Sequence, residues 1–240
     1  MEFVTILLEG PGKNALGSEL MARTRQALAR ASGAPVLLSG AGGVFSAGLD
    51  LKEVSSLDPQ GMRAFLEGLE ALVIDLFHYP GPVVAALPGH AIAGGAVIAL
   101  CCDHIVACTE PRARIGLNEV AIGLRFPPAT LQVLRHRLPR RHHAAVLLGA
   151  GLHPPQEALR LGLVDELADD PLGTARARLL ALAAHPPEAF AATKADLHDG
   201  VARVDAQAQA RFAEAILPVW TSPAVRERLA AILAPRPRPG

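Results

Sequence analysis

The chain has 240 residues, half of them apolar, and its 23 lysines and arginines are balanced by 23 aspartates and glutamates. That length and composition suit one large domain, or one domain with a small appendage, built around a sizeable buried core. The neutral balance gives no bulk electrostatic reason to expect nucleic acid or an anionic membrane as a partner.

Met1-Glu2-Phe3-Val4 is already strand-like and lacks the basic, then apolar, then small-residue order of a secretory signal, so a cytoplasmic protein is expected. Phe3 to Leu8 reads as a strand stopped by Gly10-Pro11-Gly12. Leu20, Met21, Thr24, Ala27 and Leu28 recur at spacings of three and four, which predicts a helix over 18–30 ended by Gly33. Pro35 to Ser39 is a short apolar strand running into Gly40-Ala41-Gly42-Gly43. That glycine run does not match G-x-G-x-x-G, because position 45 is Phe, so a dinucleotide site is not indicated. Asp58-Pro59 predicts an N-cap and first helical position, with the helix running to about Phe77.

Residues 83–102 are almost unbroken apolar sequence, but Pro88-Gly89-His90 and Gly94-Gly95 interrupt them and Asp103 closes them without basic flanks. A strand, a turn and a buried helix fit better than a membrane span. Cys101, Cys102 and Cys108 are an odd, clustered set. They make neither a disulfide framework nor a zinc site, and read as small buried hydrophobes in a reducing compartment. Strands are predicted over 103–108 and 113–115, and helices over 128–138, 141–149, 155–161 and 172–184. From Glu188 to the Pro-rich tail at 235–239 the pattern is helical throughout, which predicts a core over 1–186 and a helical C-terminal region over 187–240.

Two glycine-bearing breaks stand out, Phe45-Ser46-Ala47-Gly48-Leu49-Asp50-Leu51 and Ala93-Gly94-Gly95, each between an apolar run and a helix. A helix starting after such a break points unpaired N–H groups and its positive dipole end at whatever sits there. Two amides converging from Leu49 and Gly94 would hold a developing oxyanion; each break alone reads as an ordinary turn. Asp50 is a candidate cap of the helix that follows. Glu119 is a lone carboxylate in the apolar segment Ile115-Gly116-Leu117-Asn118-Glu119-Val120. It is either a buried general base with a raised pKa or a solvated capping glutamate. Asp103 reads as structural and His90 as a turn histidine. Arg135, His136, Arg137, Arg140, Arg141, His142 and His143 form a basic cluster that lacks the interleaved aromatics of an RNA surface, and a solvated helix face is its default reading. No nucleophile elbow, zinc-protease helix or Walker loop is present.

These residues together, with Pro88 to Gly95, Ala99 to Asp103 and Ile115 to Glu119 in order, resemble the enoyl-CoA hydratase/isomerase (crotonase) superfamily. Ala158 to Glu166 is similar to the family's A-x-x-x-G-L-V-D segment, and Ala192-Thr193-Lys194 to its C-terminal lysine motif. The resemblance spans nearly the whole chain. It implies an α/β fold, a spiral of ββα repeats with C-terminal helices that mediate a homotrimer or homohexamer. It implies an acyl-CoA thioester as substrate in fatty-acid metabolism, with no metal and no separate cofactor. By position, the amides of Leu49 and Gly94 would form the oxyanion hole and Glu119 would act in catalysis. Ser46, Ala47, Gly48, Asp50 and Gly95 would lie along the CoA, and Lys194 near its adenosine phosphate.

The chain departs from the family at Val97, where hydratases carry a glutamate one helical turn after the oxyanion glycine. Only one N-terminal strand is evident, where members usually begin with a hairpin. With Glu119 as the single carboxylate, the resemblance implies a Δ3,Δ2-enoyl-CoA isomerase that shuttles one proton from C2 to C4. The alternatives are hydration or another enolate reaction such as decarboxylation (the lyase side of the family), or a non-catalytic relative that binds a CoA ligand or RNA.

Overall fold

The computed structural model describes residues 2–234; Met1 and the Pro-rich tail at 235–239 lie outside the described residues. The chain advances by repeats of a sheet strand, a short pairing in a second layer, and a helix. Strand β1 (Val4–Leu8) is followed by an irregular turn, α1 (Pro11–Asn14), and by α2 (Ser18–Ala31). Strand β2 (Val36–Gly40) leads through the first glycine turn to α3 (Leu51–Ser56) and α4 (Pro59–Phe77). The third repeat is β3 (Val83–Leu87), β4 (Ala91–Ile92) and α5 (Gly94–Leu100), and the fourth is β5 (His104–Cys108), β6 (Ile115–Gly116) and α6 (Pro128–Arg137). Then come α7 (Pro155–Leu161), β7 (Glu166–Ala168) and α8 (Pro171–Ala183). Four helices follow: α9 (Pro187–Leu197), α10 (Ala206–Arg211), α11 (Leu217–Trp220) and α12 (Pro223–Leu233).

The main sheet is parallel, in the order β1-β2-β3-β5-β7. Alternate side chains leave it on opposite faces. Val36, Leu38, Val83, Ala85, Leu87, Ile105 and Ala107 enter the main core, while Leu37, Val84, Ala86 and Val106 meet Ala175 and Leu179 of α8. Burial on both faces is why these strands read as continuous apolar runs. The second layer is the parallel pair β4-β6, extended by single bridges Leu16–Leu49, Ser46–Ala91 and Ile115–His153. Each repeat therefore contributes one short crossing strand beside the next, and this layer carries the site.

Several local expectations hold to the residue. Asp58 caps α4, its carboxylate accepting from Gly61 N at 2.7 Å, and Pro59 is the first helical residue. The apolar stretch 83–102 is strand, short strand and a seven-residue buried helix, and no described helix is long and apolar enough to cross a membrane. The three cysteines are buried and free, and burial pushes the Cys101 thiol up to about 12.

Other expectations change. The helix predicted over 141–149 is a 3₁₀ turn at Arg140–His142 followed by a π-helical turn at Ala144–Leu148. Strand β7, three residues long, has no counterpart in the apolar periodicity. The C-terminal region is helical, but it has no core of its own. Phe212, Ile216, Leu217, Trp220, Val225 and Leu229 join the same cluster as the strands. Helix α12 packs on α3 and on the turn that follows Glu119.

Candidate active site

The first glycine break is held from three sides. Asn14 is buried in a left-handed conformation, φ 59°. Its Nδ2 donates to the carbonyls of Ala41, Val44 and Phe45 at 2.9, 2.8 and 3.4 Å. Ser46 is wholly buried; its hydroxyl donates to Asn14 O and accepts from Gly48 N. Ala47 N donates to Lys13 O, and Phe45 N and Ser46 N both donate to His90 O. Gly48 has φ 95°, and a Cβ there would stand 2.8 Å from Ile92 O and 3.6 Å from Gly94 N. The tight approach of the two breaks requires glycine at this position.

The second break is formed by Ala93, whose backbone (φ 49°, ψ −122°) is strained for a residue with a Cβ. It turns the chain so that Gly94 opens the apolar helix α5. A Cβ on Gly94 would meet the Leu49 side chain at 2.9 Å, and one on Gly95 would meet Ser46 O at 2.7 Å. The bridge between Leu16 and Leu49 uses the amides of Leu16 and Asp50, at 2.7 and 3.1 Å, and not that of Leu49. Gly94 N likewise donates to no backbone acceptor among the described residues. Two buried, adjacent residues thus keep free amides, one of them at a helix N-terminus, where unpaired N–H groups call for an acceptor.

The segment bearing Glu119 is tied to the second break through the second layer. Ala93 N donates to Gly116 O at 2.8 Å, and β4 pairs with β6. Three residues past Gly116, Glu119 lies no more than about 10 Å along the chain from that contact. It starts the 3₁₀ turn Val120–Ile122, and its own carbonyl accepts from Leu124 N at 2.8 Å. The side chain is 6% exposed and Oε2 has no hydrogen-bond partner. Burial therefore raises its pKa to about 7, with its own backbone amide opposing. Val97 occupies the next turn of α5, 2% exposed, so no carboxylate answers Glu119 there. No group of three metal-ligating side chains occurs among the described residues.

The structure thus packs Leu49 against Gly94 and ties the segment that ends at Glu119 to the second break through Gly116 and Ala93, with Ala47 partly exposed at the first break. Ser46 and Gly95 pack the two breaks together, Ser46 wholly buried and Gly95 set against its carbonyl. Asp50 caps α3 through Lys52 N and Glu53 N at 2.9 and 3.2 Å. Lys194 is not brought to this group. Its Nζ donates to Asp103 Oδ2 at 2.8 Å and to Gly81 O at 3.3 Å. Asp103 in turn accepts from Val83 N at the amino ends of β3 and β5. The glycine turn lies past the carboxyl ends of these strands, about five residues or roughly 17 Å away. His90 is held as a turn residue: Nδ1 accepts from Arg114 N, and burial, then Lys13 and Arg114, lower its pKa. Arg137 of the basic cluster also points elsewhere. Arg137 Nε donates to Leu100 O, at the far end of α5 from Gly94.

Sequence reasoning missed three residues that hold the site. Asn14 carried a signal, since asparagine is among the few side chains at ease with positive φ. Glu70 accepts from Ala129 N at 2.7 Å and fixes the start of α6. Trp220 Nε1 donates to Arg125 O at 3.0 Å and ties the loop after Glu119 to the C-terminal helices. Neither of these contacts, across 59 and 95 residues, has a sequence signature.

The family model described as "Enoyl-CoA hydratase/isomerase" matches residues 2–222. Human mitochondrial enoyl-CoA delta isomerase 1 is 34% identical over 135 residues, 56% of this chain and 45% of that protein. The chain spans about half the length of the curated delta isomerases it matches. A putative enoyl-CoA hydratase of Thermus thermophilus is 35% identical over 201 residues, 80% of this chain and 78% of that one. Among solved structures, human mitochondrial delta3-delta2-enoyl-CoA isomerase superposes with TM-score 0.88 at 26% identity, covering 95% of this chain and 92% of that one. An enoyl-CoA hydratase from Bacillus halodurans superposes with TM-score 0.82 at 25% identity, covering 95% of both. With the sequence match running almost end to end and the crotonase spiral reproduced, the chain belongs to the enoyl-CoA hydratase/isomerase family.

Proposed function

We propose that this enzyme moves the double bond of a 3-enoyl-CoA thioester to the 2-position, with Glu119 as its only proton carrier. The observation that carries the reading is one buried carboxyl at Glu119, its Oε2 without a hydrogen-bond partner, together with an apolar side chain at Val97. Hydration needs a water activated and a proton delivered, a task for two carboxylates. A double-bond shift needs one, because the proton taken from C2 is returned at C4. The thioester oxygen gains negative charge as the C2 proton leaves. The amides of Leu49 and Gly94 would meet that charge, each contributing about 10²–10³ in rate. The dienolate then collapses as Glu119 protonates C4, restoring the ionised carboxylate. A carboxyl poised near neutrality suits both transfers, since it is neither too weak a base to accept nor too weak an acid to return the proton.

The test is purified protein with a 3-enoyl-CoA, following the absorbance of the conjugated 2-enoyl thioester, with Glu119→Gln alongside. Absorbance that rises only with the wild type supports the single-base shuttle. Conversion of 2-enoyl-CoA to a 3-hydroxyacyl-CoA at a comparable rate would move the enzyme to the hydratase side of its family. Isomerisation that survives in Glu119→Gln would show that another group carries the proton.

A further inference from the structure

A cavity of about 770 Å³ opens one residue past Glu119, at Val120, within the range of about 300–1,000 Å³ typical of small-molecule sites. Its apolar wall comes from Leu124, Phe126, Leu131, Leu147, Leu148 and Ile216. Leu148 is 71% exposed on this wall, more than any other large hydrophobic side chain among the described residues. Arg125, Arg135, Arg211 and His143 also line it. A second cavity of about 450 Å³ shares Gln132, Arg135 and His143 with the first and adds Arg140 and His136. No aspartate or glutamate lines either cavity. Arg125, Arg135, Arg140 and Arg211 make no ion pair among the described residues, and of them Arg125 donates to the Ala215 carbonyl.

The combination is an apolar trough that runs into a cluster of uncompensated cations. A neutral hydrocarbon would leave those charges without a partner, and an inorganic anion would leave the apolar wall wet. We propose that this two-part groove binds an alkyl chain ending in a carboxylate, with the chain along the Leu124–Leu148 wall and the carboxylate among Arg135, Arg140 and His143. Two sources have this chemistry: a free fatty acid held as a second ligand, or the far end of an ω-carboxyacyl-CoA substrate. The second source rests on the proposed isomerase activity, and the first does not.

The experiment titrates dodecanoate and 1-dodecanol into the full chain by calorimetry. The single tryptophan, Trp220, whose indole holds the Arg125 carbonyl, serves as the fluorescent reporter. Dodecanoate is expected to bind about tenfold more tightly than dodecanol, and to lose that advantage in Arg135→Gln with Arg140→Gln and in high salt, as an exposed charge contact should. Shortening the acid should weaken binding about fourfold per methylene. Equal affinity for acid and alcohol, or a preference that survives both the double variant and salt, overturns the proposal. So does absence of binding together with a change of sedimentation in the double variant, which would make the groove a contact between copies of this chain.

The two sources separate by kinetics. Competition of dodecanoate with an ω-carboxy-3-enoyl-CoA, and a drop in that substrate's kcat/KM in the double variant, assigns the groove to the substrate. Binding without competition assigns it to a second ligand. A short 3-enoyl-CoA keeps the two readings independent. Its turnover tests Glu119 and is expected to be unchanged in the double variant, whatever dodecanoate does.

Discussion

Replacing Glu119 by glutamine is expected to remove catalysis and, at neutral and alkaline pH, to favour the folded state. The carboxyl titrates at about 7 in the fold against 4.5 as the ordinary value, because burial disfavours its charge. A raised carboxyl pKa contributes stability that is fully present below the unfolded value and lost as pH climbs through the folded one. The loss therefore accumulates between 4.5 and about 7, and is complete above that window. At about 1.4 kcal/mol per unit, it reaches roughly 3 kcal/mol. Glutamine carries no such penalty, and any cost of its unpaired amide is independent of pH. The measurement is the urea midpoint of wild type and variant at about pH 5 and about pH 9, at one protein concentration. The stability difference should shift in the variant's favour by roughly 2–3 kcal/mol between the two, a change of several degrees in Tm for a chain of this size. A difference that stays flat with pH would refute the idea that desolvation sets the Glu119 pKa, and with it the tuned base. The same ionisation predicts that wild-type kcat/KM falls as pH drops below about 7, since the protonated carboxyl cannot accept the C2 proton.

Three further outcomes follow from the site's scaffold. Gly48→Ala forces a Cβ to 2.8 Å from Ile92 O at φ 95°; isomerisation should collapse and stability fall by about 1–3 kcal/mol, read by circular dichroism melts and the enoyl-CoA assay. Asn14→Ala releases the carbonyls of Ala41, Val44 and Phe45, and should cost about 2–3 kcal/mol while lowering kcat more than it raises KM, because the Leu49 turn loses its clamp. Lys194→Met leaves Asp103 half-buried without its cation, which should cost about 3 kcal/mol in urea melts, yet the KM for a CoA thioester should stay within about twofold. A KM raised more than tenfold in a folded variant would bring the nucleotide end of the substrate to Lys194 after all.

The features legible in the chain alone are those with local causes. The helix starts at Asp50 and Asp58, the glycine breaks, and the doubly buried parallel strands all follow from groups within a few residues of one another, so composition and spacing suffice. The motif order carried the family, and the residue at 97 was readable as valine without coordinates. Folding settled what depends on neighbours distant in the chain. Whether Glu119 was buried or a solvated cap turned on desolvation, a property of the wall around it and not of the segment that bears it. Ser46 and Gly95 also brace the two breaks, through contacts across 32 residues and more that spacing along the chain does not reveal. That α9 delivers Lys194 to Asp103, at the amino ends of the sheet strands, was likewise invisible in its motif. Strand β7 is too short to show a period, and exists because β5 offers it an edge. The C-terminal helices read as an appendage because their pattern changes at 187. They belong to the common core because Trp220 and Leu229 are buried against a spiral already built.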